Sequence, residues 1–86
     1  MRGRELVGLN VRRLRVERGI SQERLAIDAG VDRSYLGGVE RGEENPTVDV
    51  LDRLASILAI PISDLFATGT GDTTAGLKRG RKPSAK

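Results

Sequence analysis

Arginine carries most of the chemistry that this chain can offer. The sequence holds 15 Lys+Arg and 12 Asp+Glu but no histidine and no cysteine. Without them there is no imidazole base, no thiolate nucleophile and no His/Cys zinc set. Paired carboxylates or a lysine base remain formally open, yet the acids are scattered over helix faces and converge on no predicted pocket. What remains is charge and hydrogen bonding. The residues placed to use them are Arg33 and Ser34, at the start of a short amphipathic run, and a basic cluster at Lys78-Arg79-Gly80-Arg81-Lys82.

The formal net charge of +3 is unevenly spread. Residues 1–75 hold ten Lys+Arg against twelve Asp+Glu, whereas residues 76–86 hold five Lys+Arg and no acid. The excess therefore lies in the tail. Any affinity of the globular part for an anionic partner must come from where its charges sit, not from their sum.

Positioning Arg33 requires a rigid support, and the stretch from Gln22 to Val39 supplies its pattern. Ala26 is the fifth residue and Gly30 the ninth, between two short amphipathic segments. Two helices that cross steeply through a three- or four-residue turn nearly touch at one point. A small residue is needed there, and a glycine is favoured in the turn. Leu25, Ala29, Val31, Leu36 and Val39 fall where such a corner needs inward apolar groups.

A recurring start signal divides the rest of the chain: an apolar residue, a capping side chain, then an apolar residue at the fourth helical position. Ile20–Ser21–Leu25 opens a second helix and Val31–Asp32–Leu36 a third. Thr47 caps a fourth, after Pro46 and with Leu51 inside, and Ser63 caps a short fifth, after Ile62. The first helix is expected from about Arg4 to Arg18, with Val7, Val11 and Leu14 on one stripe and Gly19 stopping it. Leu51, Leu54, Ala55 and Leu58 form the buried stripe of the fourth. Pro61 blocks its continuation, and Phe66 is expected to plug the core from the fifth. The fold class is therefore all-α, a compact five-helix bundle whose helices are each too short to stand alone.

With 86 residues there is room for one domain, expected over 1–68, followed by a flexible basic tail over 69–86 of Gly, Thr and then Lys/Arg. No apolar run approaches membrane-spanning length, and the Arg-rich N-terminus lacks a signal peptide's apolar stretch. A cytoplasmic protein is expected, with no cofactor, metal or small-molecule ligand.

Residues 5–67 resemble the lambda-repressor-like helix-turn-helix family, also called the Cro/phage-repressor or XRE type. The resemblance is carried by Ser21-Gln22-x-x-Leu25-Ala26, Ala29-Gly30-Val31, Tyr35-Leu36, Glu40-Arg41-Gly42 and Asn45-Pro46-Thr47. Leu51, Leu54-Ala55 and Pro61-x-Ser63-Asp64-Leu65-Phe66 complete it. The run Asp32-Arg33-Ser34-Tyr35 is similar to restriction–modification controller proteins. The resemblance implies a sequence-specific double-stranded DNA-binding transcriptional regulator that uses no catalysis.

In that geometry the third helix enters the major groove with its N-terminal residues toward base edges. Leu36 and Val39 point inward, which leaves Arg33, Ser34, Gly37 and Gly38 as the expected base-reading face. The Arg33 guanidinium can donate to guanine O6 and N7 together, worth about 1–3 kcal/mol of discrimination; the plainer reading is an arginine that only neutralises phosphate. Gly37-Gly38 either lets the backbone approach bases or sugars closely or marks a place where no side chain is needed. The resemblance implies that Gln22 touches the phosphate backbone, with Ser21 capping its helix and able to touch phosphate too. Arg41 and Asn45 are the expected clamps after the third helix, although Glu43 and Glu44 stand where basic residues are often seen. It also implies an ion pair between Arg15 and Glu40. Ala59 stands where a glycine is common, which puts the usual left-handed turn there in doubt.

The tail segment Lys78-Arg79-Gly80-Arg81-Lys82 resembles the core of an AT-hook, an extended Arg-Gly-Arg lying in a narrow minor groove. Lys82 separates Arg81 from the proline that normally follows, and a solvated basic tail adding non-specific affinity is the simpler reading. One reading helix contacts few base pairs, so a homodimer on a two-fold site is expected. Its surface would be the fourth and fifth helices, with Ile57, Ile60, Ile62 and Leu65 as candidates. A second reading is an antitoxin or other interaction module of the same fold. RNA or single-strand binding is disfavoured, because Tyr35 and Phe66 are the only aromatic residues and both look structural.

Overall fold

In α1 (Gly3–Glu17) the apolar residues recur at helical spacing, and Val7, Val11 and Leu14 are buried together on one side. This is a computed structural model, and it describes residues 2–69. Three further α-helices follow, α2 (Gln22–Ala29), α3 (Arg33–Glu40) and α4 (Val48–Leu58), and then a 3-10 turn over Ile62–Phe66. No strand occurs among the described residues.

Three of the starts follow the capping chemistry of the sequence. Ser21 Oγ accepts from Arg24 N at 2.9 Å, and Thr47 Oγ1 accepts from Val50 N at 3.1 Å. Asp32 Oδ2 accepts from both Ser34 N at 3.0 Å and Tyr35 N at 3.3 Å. Each such cap is worth about 1 kcal/mol relative to alanine.

The fifth helix of the expected bundle is instead the 3-10 turn. Its cap position is Pro61 rather than Ser63, and no side chain closes it. Five residues between Pro61 and the chain's change of composition make only one or two tight turns, too few for an α-helical ladder to propagate. Phe66 does not plug the core, being 45% exposed, and Leu65 does so with no exposure at all. In the tighter turn, the neighbour of the expected residue is the one aimed inward.

All four helices end the same way, with a backbone N–H donating back across five residues to a carbonyl left free by the last turn. The pairs are Ile20 N to Arg15 O, Val31 N to Ala26 O, Glu43 N to Gly38 O and Ile60 N to Ala55 O, at 2.8–3.1 Å. Such an ending needs one residue at positive φ. Gly30 provides it in the turn between α2 and α3, at φ 72°. After α4 that residue is Ala59, at φ 60° and ψ 46°. The left-handed turn is thus kept without a glycine, contrary to the doubt raised by its absence, and the Cβ carries strain.

The core is contiguous. Leu25, Leu36, Leu54, Leu58, Leu65 and Val11 are fully buried, with Val39, Ala26 and Ala29 beside them. Burial of each leucine stabilises the fold by about 1.5–3 kcal/mol, which offsets the weak propensity of eight-residue helices. Val31 is only partly buried, packed against the core edge.

Candidate nucleic-acid interface

Helix α3 is eight residues long with two glycines, so on its own it would not hold a direction. Its surroundings fix it at three levels. Leu36 and Val39 are buried in the core, and Asp32 ties down the first N–H groups. At the other end α1 lies hard against it. A Cβ on Gly8 would meet the carbonyl oxygens of Val39 and Glu40, the latter at 2.8 Å.

Charge closes the same end. Arg15 Nε donates to Glu40 Oε2 at 2.7 Å and Arg15 Nη2 to Glu40 Oε1 at 3.0 Å, while Arg15 Nη1 donates to Ile20 O at 3.0 Å. The side chains are 13% and 3% exposed. The hydrogen bonds to Glu40 hold the Arg15 guanidinium above its ordinary pKa, against the opposing pull of burial. Gln22 Nε2 joins from α2, donating to Glu40 Oε1 at 3.1 Å. The ion pair implied by the family resemblance therefore exists, and it extends to a third helix.

At the opposite end of α3, Arg33 and Ser34 are exposed. Arg33 makes no hydrogen bond or ion pair with any described residue. Its place is informative, because a cation at a helix N-terminus opposes the helix dipole and so contributes nothing to the helix. Ser21 is engaged as the α2 cap. Arg41 is exposed and paired with Glu43, Nε and Nη2 both 3.1 Å from Oε1. Asn45 is exposed on the rim of a shallow apolar groove with Pro46, Val48 and Phe66.

Gly37 and Gly38, expected on the outer face of α3, are buried under neighbouring groups of the protein. A Cβ on Gly38 would strike Glu44 Cγ at 2.7 Å, and Gly38 O accepts from both Glu43 N and Glu44 N. That residue seats the loop after α3. Over Gly37 lie the ends of Arg41 and Gln22. The glycines admit neighbouring protein groups, which in sequence cannot be told from admitting DNA.

Leu65, named as a self-association candidate, is fully buried in the core, whereas Ile57, Ile60 and Ile62 are partly exposed beside it. The basic cluster from Lys78 to Lys82 lies outside the described residues, as does nearly all of the tail.

Three positioning residues were not anticipated. Asn10 is buried on the inward stripe of α1, and its Nδ2 donates to Leu65 O at 2.9 Å and Ala67 O at 3.0 Å, sewing the 3-10 turn onto α1. A polar residue between Val7 and Val11 on an apolar stripe was a readable signal. Arg53 Nε donates to Ala29 O at 2.9 Å, tying α4 to the end of α2. Gly8, third of the three, left no trace in the periodicity.

The sequence profile described as helix-turn-helix, HTH_3, matches residues 11–65. The uncharacterized HTH-type transcriptional regulator y4dJ of Sinorhizobium fredii is 41% identical over 75 residues, 87% of this chain and 96% of that protein. The immunity repressor of Bacillus phage phi105 is 36% identical over 64 residues, 74% of this chain but 44% of the repressor, so the chain spans less than half of that relative. The crystal structure of the restriction-modification controller protein C.AhdI from Aeromonas hydrophila superposes with a TM-score of 0.71 at 44% identity, covering 73% of this chain and 96% of that one. With a buried corner between α2 and α3, a propped third helix and these likenesses, the chain belongs to the HTH_3 helix-turn-helix family, of the XRE or lambda-repressor-like type.

Proposed function

We propose that this protein is a sequence-specific double-stranded DNA-binding transcriptional regulator, reading the major groove with the start of α3. The observation that carries this reading is Arg33. It is an exposed guanidinium with no partner among the described residues, at the N-terminal end of a helix held from three sides, in a position where it does nothing for helix stability. Regulators and a repressor among its relatives support the same reading.

In this reading Arg33 donates to the O6 and N7 of one guanine, and Ser34 reaches an adjacent base or sugar. Gln22, Arg41 and Asn45 grip phosphates on either side, with Ser21 adding its hydroxyl where the cap leaves it free. Residues 1–68 form the binding domain. Residues 69–86 act as a basic extension in which Lys78, Arg79, Gly80, Arg81 and Lys82 add affinity with little sequence preference. The protein acts as a homodimer, because one short helix specifies only a few base pairs. Ile57, Ile60 and Ile62 supply its apolar contact, without Leu65.

Selection from random duplex DNA tests this directly. The expected product is a near-symmetric site with half-sites about one helical turn apart. Repeating the selection with Arg33→Ala should leave the spacing intact and erase a preference for G at one position in each half, a loss of about 1–3 kcal/mol. An unchanged G preference would remove Arg33 from the reading surface. Absence of any enriched duplex would remove the function itself.

A further inference from the structure

Gly37 and Gly38 are neighbours on α3, yet different groups fill the space that each leaves. Above Gly38 it is the loop, through Glu44. Above Gly37 it is two side chains, one from α2 and one from the residue just past the end of α3. A Cβ there would stand 3.1 Å from Arg41 Nη1, 3.6 Å from Gln22 Oε1 and 3.8 Å from Gln22 Nε2. Each of these side chains is steadied from behind, Gln22 by Glu40 at 3.1 Å and Arg41 by Glu43 at 3.1 Å. Neither tie exhausts the donors. An amide carries two N–H groups and a guanidinium five, and Arg41 reaches Glu43 through Nε and Nη2, leaving Nη1 on the Gly37 side.

We propose that Gly37 is the positioning residue of a seat for one backbone phosphate, in which Arg41 Nη1 and the Gln22 amide converge because no side chain stands between them. The inference rests on the reading of the chain as a duplex DNA binder. The ligand chemistry follows from the donors. A phosphodiester offers two non-bridging oxygens, which a guanidinium and a neutral amide can share, and the positive charge on one side matches its single negative charge. The seat also gives glycine a reason to be there, since it lowers helix stability relative to alanine.

The neighbours of the missing Cβ are ends of flexible side chains, so Gly37→Ala folds, and its thermal midpoint should equal or exceed the parent's. Binding by fluorescence anisotropy is compared for the parent, Gly37→Ala, Arg41→Gln and the double variant. Each is measured on the selected duplex and on an unrelated one, across a salt series. Gly37→Ala should weaken both duplexes alike, by about tenfold, and reduce the salt slope by about one. In the Arg41→Gln background the same alanine should change affinity by about twofold or less, because the two act through one contact. Loss on the selected duplex alone would mean that Gly37 works by close approach to bases, and would overturn the seat. So would unchanged affinity on both duplexes, or full multiplication of the two losses. If the parent binds neither duplex, the functional reading fails first and takes the seat with it, an outcome that the parent measurement alone reveals.

Discussion

Arg15 holds Glu40 through two hydrogen bonds, at 2.7 and 3.0 Å, across the junction of α1 with the end of α3. Glu40 is nearly inaccessible and receives a third bond from Gln22. Removing only the cation strands a buried carboxylate. Arg15→Met should therefore lower stability by about 3 kcal/mol in chemical denaturation. Replacing both partners, as Arg15→Met with Glu40→Leu, should recover much of that loss. A double variant as unstable as the single one would show that the stabilisation comes from shape rather than from charge pairing. The pair also sets a pH expectation. A raised arginine pKa contributes stability that is complete below the ordinary arginine value and lost only as pH rises through the still higher folded one. Alkaline titration up to about pH 10 should thus leave the Arg15 contribution intact.

Gly8 is the other fixture at this junction, and there the constraint is space. A side chain at this position would press on two backbone carbonyls, which cannot swing aside as a flexible side chain would. Gly8→Ala should cost about 2 kcal/mol, even though alanine favours α1 intrinsically. It should also weaken DNA binding under conditions where the variant is fully folded, because the shift falls on the end of α3. A variant of parental stability and affinity would mean that the two helices can part without consequence.

How much of this was legible beforehand depends on the range of the interaction. The apolar stripes of α1 and α4 and the three caps at Ser21, Asp32 and Thr47 are local patterns, and they hold in the structure. Arg15 and Glu40 are separated by 25 residues, and only the family resemblance paired them. Helical spacing alone places Gly37 opposite Leu36 and Val39, on the exposed face. Spacing says nothing of side chains arriving from α2 or from the end of α3 itself. The exchange of Phe66 for Leu65 has a similar origin. A 3-10 turn advances each residue by a larger angle than an α-helix, so a helical register carried past Pro61 selects the wrong neighbour.

Ala59 offers a gain rather than a loss. Its backbone sits at φ 60°, where an L side chain is disfavoured by about 1–2 kcal/mol. Glycine removes that strain but restores some entropy to the unfolded chain. The balance predicts Ala59→Gly to be more stable by about 0.5–1 kcal/mol. The residue is exposed and belongs to no part of the proposed DNA-binding surface, so DNA affinity should not move. A destabilised glycine variant would mean that the turn is held by something other than the local backbone.

Glu43 is where charge and affinity are set against each other. It pairs with Arg41 at 3.1 Å, and both side chains are 62% exposed, so the pair contributes less than about 1 kcal/mol to stability. The same carboxylate holds the Nε and Nη2 edge of a guanidinium whose Nη1 is expected to grip phosphate, and it brings a negative charge toward a polyanion. Glu43→Gln keeps the size of the side chain and an oxygen that can accept from Nε, and it removes that charge. Its melting temperature should stay close to the parent's, while duplex affinity rises by about three- to tenfold at low salt. Because the gain is electrostatic, it should appear on selected and unrelated duplexes alike and fade at about 0.5 M salt. A gain confined to the selected sequence would place Glu43 near base edges. No gain at all would mean that Arg41 does not meet the backbone, and the grip on that side would then fall to Asn45 and Gln22.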